Sequence, residues 1–140
     1  MSPQNAAVFD AYTSCWRAYV DFGTEKNRSF TRADFDARVG GCVTGEEYTT
    51  LLHAFSNYRP QGVFFRGPAV EHDPAPKIEV RATEATVRDC MLDLGETYDD
   101  NDGRVLDPAG DSRVLNVVSL VIVDGGWKIA KVEDGGPCTV

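Results

Sequence analysis

The chain has 140 residues, 42% of them hydrophobic, and 22 acidic against 14 basic side chains give it a net charge of −8. That length suits one domain, 1–140, with its own hydrophobic core, and the acidic balance disfavours nucleic acid and anionic membrane as partners. No apolar run approaches the roughly 20 residues of a membrane span, and Met1-Ser2-Pro3-Gln4-Asn5 lacks the basic and apolar regions of a signal peptide.

Val8, Tyr12, Cys15, Trp16 and Tyr19 recur at helical spacing, which predicts a helix from about residue 4 to 22, ended by Gly23. A second helix is predicted over 32–38. Thr31 is its N-cap, Asp34 favours its first turn, Phe30 and Phe35 form a hydrophobic staple, and Gly40-Gly41 stops it. A third starts at Thr44, with Glu47 closing a capping box and Val43 and Tyr48 as staple. Its apolar face is Tyr48, Leu51, Leu52 and Phe55, and it is expected to end before Pro60.

Beyond residue 60 the pattern changes to strands, at 62–71, 77–83, 85–93, 113–123 and 127–133. Turns fall at Pro74-Ala75-Pro76 and Asp124-Gly125-Gly126, the latter joining a hairpin. Val114–Val123 is apolar at nearly every position and is expected to be central, covered on both faces for much of its length. Residues 93–111, crowded with Asp and Glu, read as a solvated loop or hairpin. Helices followed by mostly antiparallel strands make an α+β order. A strongly curved sheet of that size can wrap the first helix into a cone with a pocket at its open end.

The cysteines at 15, 42, 90 and 138 show no Cys-x-x-Cys spacing, and with two histidines in the chain no zinc site is expected. Four buried thiols in a reducing cytosol is one reading. The even count, and a cysteine in the loose tail Gly135-Gly136-Pro137-Cys138, favour disulfides instead. Of the three pairings, Cys90–Cys138 with Cys15–Cys42 is preferred, because the first would pin the tail to a strand. Its loop of about 49 residues is worth about 4 kcal/mol in the chain-entropy model.

Several segments are distinctive together: Phe9-Asp10-Ala11-Tyr12 with Trp16-Arg17-Ala18-Tyr19, Ala85-Thr86-Val87-Arg88-Asp89-Cys90, Asp124-Gly125-Gly126-Trp127-Lys128-Ile129, and Gly136-Pro137-Cys138. The chain thereby resembles small secreted proteins and lipoproteins of actinobacteria that carry a nuclear transport factor 2-like (SnoaL-like) cone. The resemblance covers most of the chain and implies that fold, a Cys90–Cys138 disulfide, and export to the cell envelope or beyond. It implies no reaction. No leader or lipobox cysteine is visible near the start, so a chain natively beginning at Met1 would instead be cytoplasmic, or part of a virion or other assembly.

The wider superfamily includes polyketide cyclases and ketosteroid isomerases, which place an Asp, His or Tyr in the apolar cone, where desolvation tunes its pKa. Here the candidates are His53, His72 and Asp73. His53 falls off the Tyr48/Leu51/Leu52/Phe55 stripe and reads as solvated. His72 lies in Glu71-His72-Asp73-Pro74, where Asp73 is placed to orient the imidazole, although the same residues read as a strand end entering a turn. Asp89 is set aside: if Cys90 points inward, strand alternation sends Asp89 outward. Asp99-Asp100-Asn101-Asp102-Gly103 fails as a calcium loop, since Tyr98 and Ala109 occupy its first and last ligand positions.

Aromatics at helical spacing are mainly core. Trp16, Tyr19, Phe55, Tyr58 and Trp127 are the ones placed to line a pocket for an apolar ligand. Phe64 and Phe65 point to opposite faces of one strand, so one of them needs cover, for which a partner chain and a homodimer are expected. The expectation is therefore a disulfide-stabilised binding domain without cofactor or metal, acting on a small apolar ligand or a protein partner. A small cyclase or isomerase using a pocket His or Asp is the alternative, and a structural part of an assembly the third.

Overall fold

The computed structural model describes residues 1–140. Three helices, α1 (Pro3–Thr24), α2 (Arg32–Arg38) and α3 (Gly45–Gln61), precede seven strands. These are β1 (Val63–Arg66), β2 (Lys77–Arg81), β3 (Glu84–Met91), β4 (Glu96–Asp99), β5 (Val105–Asp107), β6 (Val114–Val123) and β7 (Gly126–Pro137).

At the start of α1 the Ser2 hydroxyl accepts the Asn5 N–H at 3.1 Å and Pro3 occupies the first turn, where its missing donor costs nothing. Gly23 does not stop the helix. It lies on the packed face, where an added Cβ would sit 1.9 Å from the Phe65 ring, so this glycine marks a close approach. Helix α2 begins as the sequence predicts, with the Thr31 hydroxyl accepting the Asp34 N–H at 3.1 Å and the Phe30 and Phe35 rings 6.2 Å apart.

Helix α3 departs from expectation at both ends. The predicted capping box at Thr44 and Glu47 is not formed. Thr44 is held from the sheet side, its N–H donating to the Ile129 carbonyl while Val43 bridges Ile129 in parallel. At the other end the helix runs through Pro60 and stops at Gly62, whose left-handed φ of 75° lets its N–H cap the Tyr58 and Arg59 carbonyls. Burial of the Arg59 side chain overrides the proline signal.

The strands form two antiparallel sheets, ordered β2-β3-β6-β7 and β1-β4-β5. The predicted strand 62–71 shortens to β1, leaving Glu71 as a single bridge to Leu92. The acidic segment forms the hairpin β4–β5, exposed along Val105–Asp107, yet its Tyr98 is buried against Phe64 at 6.5 Å. Phe65 is covered by Tyr19 at 5.1 Å and Phe55 at 5.9 Å, so both aromatics of β1 find cover within the chain and need no partner. Strand β6 is interior to its sheet, but only Asn116, Val118 and Leu120 are buried. Its other face is half-covered and Ile122 is exposed, so the expected two-sided cover is partial.

Two apolar clusters hold the layers together. One places Val8, Tyr12 and Cys15 of α1 against Val87, Val118, Leu120 and Ile129 of the four-stranded sheet. The other joins Phe22, Phe35, Val39 and Phe55 among the helices. Cys15–Cys42 and Cys90–Cys138 are both bonded.

Candidate functional site

The spacing that buries α1 also builds a cavity of about 200 Å³ between α1, α3 and β7. Tyr12, Cys15, Trp16 and Tyr19 come from one face of α1. Leu51 and Glu47 stand one turn apart on α3, Val43 precedes that helix, and Ile129 and Val132 close the floor from β7. Eight of these nine residues are hydrophobic, and the exception is Glu47. Burial, followed by the charge of neighbouring Glu46, pushes the Glu47 carboxyl up. Burial also pushes the Tyr19 phenol up, far from ionisation at neutral pH.

Behind Tyr12 lies a buried polar network. Asp89 has no exposed surface. Its Oδ2 accepts the Tyr12 hydroxyl at 2.6 Å and lies 2.6 Å from Nδ1 of His72, while its Oδ1 accepts the Asp73 N–H at 2.7 Å. Asn116 Nδ2 donates to the Tyr12 oxygen at 3.1 Å. Burial alone would raise the Asp89 carboxyl, but His72, the Asp73 N–H and Tyr12 outweigh it and hold the group below the usual carboxylate range. Burial and the bond to Asp89 raise the Tyr12 phenol far above its ordinary value.

The Asp89 carboxylate can only accept, so Nδ1 of His72 is the donor in this contact and Nε2 is the ring nitrogen left outside it. The ring is boxed edge-on by Tyr12 at 5.6 Å and Phe9 at 6.1 Å. It lines a second cavity of about 200 Å³, on the far side of Trp16, together with Thr13, Arg17, Val20 and Val70.

The expectation for Asp89 is overturned, and the reason lies in its neighbour. Alternation along β3 holds, with Ala85, Val87 and Asp89 facing α1. Cys90 is the residue on the outer face, where the tail covers it through Cys138. The partner of His72 is accordingly Asp89, whereas the Asp73 carboxylate turns back to accept the Ala75 N–H. His53 is exposed on α3 and stands apart from both cavities. Of the aromatics placed as pocket-lining, Trp16 and Tyr19 reach the first cavity. Phe55 is buried in the helical cluster, Tyr58 is exposed, and Trp127 packs on the core from β7.

No family model matches the chain, and no curated protein matches it either. Solved structures do. The intermembrane space region of the chloroplast protein ARC6 superposes with a TM-score of 0.69 at 10% identity, over 97% of this chain and 98% of that one. A nuclear transport factor 2-like superfamily protein from Salmonella enterica serovar Typhimurium gives 0.56 at 11% identity, over 96% and 94%. A structure described as a putative dehydratase of the same family, from Streptomyces avermitilis, gives 0.53 at 15% identity, over 98% and 97%. The chain is thus an α+β protein whose sheet and helices enclose pockets. Its fold is the nuclear transport factor 2-like fold, which binding proteins and enzymes share.

Proposed function

We propose that this domain binds a small, largely apolar ligand in the cavity between α1, α3 and β7. The supporting observation is the lining itself: a void of about 200 Å³ with eight hydrophobic walls and one carboxyl. An engineered apolar cavity of about 150 Å³ holds benzene, so this one has room for a ring with a short substituent. The two disulfides suit a protein that works in an oxidising compartment, as an exported one would. Leu51→Trp should fill the cavity with an indole. Thermal melting with 2-phenylethanol as probe should then rise for the wild type and stay flat for the variant. Equal shifts in both proteins, or none in the wild type at saturating probe, would sink the reading.

One observation favours a second reading, a proton-transfer enzyme: Asp89 holds Nδ1 of His72 at 2.6 Å and leaves Nε2 toward a cavity. Its test uses 5-nitrobenzisoxazole, from which a base removes the ring C–H proton as the N–O bond breaks and a coloured phenolate forms. Catalysis above that of free imidazole, lost in His72→Gln and kept in His53→Gln, supports it. A wild-type rate equal to that of His72→Gln rejects it.

A further inference from the structure

The apolar cavity carries one feature that an apolar ligand alone leaves unanswered. Glu47 projects from α3 into a lining otherwise made of hydrocarbon, aromatic rings and a half-cystine. Its carboxyl takes part in no hydrogen bond or ion pair within the chain, and burial and the adjacent Glu46 are what act on it. No Lys or Arg lines the cavity, and Lys131, on the adjoining strand β7, is already paired with Glu133 at 2.9 Å. A half-buried carboxylate without a partner is costly, and the cost is removed when a cation supplies a charge-assisted hydrogen bond.

We propose that Glu47 makes this cavity selective for a small organic amine, whose ammonium pairs with the carboxylate while its hydrocarbon body fills the apolar floor. The inference rests on the apolar-cavity reading above and deepens it. Two further observations point the same way. The Trp16 and Tyr19 rings, edge to face at 5.5 Å, both line the cavity, and an aromatic lining suits a cation. Glu46 adds negative potential one residue away, and the whole chain carries −8. A ligand carboxylate would meet Glu47 and Glu46 as like charges, and a neutral ring would leave Glu47 unpaired. The volume limits the body to about one ring with a short chain.

Calorimetric titration of the full chain at neutral pH separates the possibilities with three probes of matched shape: 2-phenylethylamine, 2-phenylethanol and phenylacetate. The amine is expected to bind about ten-fold or more tighter than the alcohol, with phenylacetate weakest. Glu47→Gln should erase the amine's advantage over the alcohol. Equal binding of amine and alcohol by the wild type overturns the inference, as does an amine preference that survives Glu47→Gln. Either result leaves the apolar-cavity reading standing. If none of the three probes binds, or if Leu51→Trp binds them as well as the wild type does, the cavity reading falls and the inference falls with it.

Discussion

At the residue scale the chain stakes most on Asp89, a carboxylate with no exposed surface in a strand that packs on α1. Such a group stays ionised only because Tyr12, His72 and the Asp73 N–H converge on its two oxygens. Asp89→Asn would turn an amide N–H₂ toward groups that themselves donate, and the expected loss is on the order of 3 kcal/mol in urea unfolding. Tyr12→Phe removes one of the three donors and leaves Asn116 Nδ2 without its acceptor, so about 1–2 kcal/mol is expected. The pH dependence follows from the sign of the shift. The folded carboxyl titrates below its unfolded value, so its contribution is full above about pH 4 and is lost as pH falls through the lower folded value. Asp89→Asn should flatten that acid limb, and a variant whose melting falls as steeply as the wild type below pH 4 would refute the assignment. The sequence held half of this site. The parity of Ala85, Val87 and Asp89 was readable, but which face of β3 met the helix depended on where Cys90 pointed, and that was set by a tail some 48 residues away.

At the scale of elements the helices were legible because their signals are local: spacing on α1, a cap and staple on α2, an apolar stripe on α3. Their ends were less so, because long-range contacts decide them. Arg59 shows why. It is buried at the end of α3 with its guanidinium 3.8 Å from the centre of the Phe22 ring. It donates to the carbonyls of Phe22 at 2.9 Å, Asn27 at 3.2 Å and Ser29 at 3.4 Å. One side chain thus fastens the end of α1 and the connection to α2 onto α3, and it holds the last turn helical in spite of Pro60. Arg59→Ala strands those carbonyls and empties the site. A loss on the order of 3 kcal/mol is expected, with faster hydrogen exchange confined first to residues 24–31. If exchange there is unchanged, Arg59 is not the fastener. Gly23 makes the matching case for α1 and β1. Gly23→Ala must displace a Phe65 ring already wedged against Tyr19 and Phe55, at about 1–3 kcal/mol. Neither contact has a sequence signature, since each joins residues thirty or more positions apart.

At the scale of the whole molecule the two disulfides divide the work between the site and the frame. Both pairings were legible, one from a cysteine in an otherwise loose tail and the other by remainder. In the chain-entropy model, sequence separations of 27 and 48 are worth about 3.6 and about 4.1 kcal/mol. Their sum is comparable to the whole stability of a typical domain, about 5–15 kcal/mol. Thermal melting should therefore fall sharply in reductant, yet the two bridges should not be equivalent for function. Cys90–Cys138 covers the outer face of β3 and fastens the exposed end of β7, and neither cysteine lines the first cavity. Cys15–Cys42 joins α1 to the turn before α3, and Cys15 itself lines that cavity. Replacing both members of each pair by alanine should cost similar stability. Loss of the tail bridge should leave probe affinity within about two-fold, whereas loss of Cys15–Cys42 frees the helix that carries Glu47 and Leu51 and should weaken binding by about ten-fold. Equal affinities in the two double variants, each measured well below its own melting temperature, would mean that packing alone holds the cavity open. The bridge would then belong to the frame.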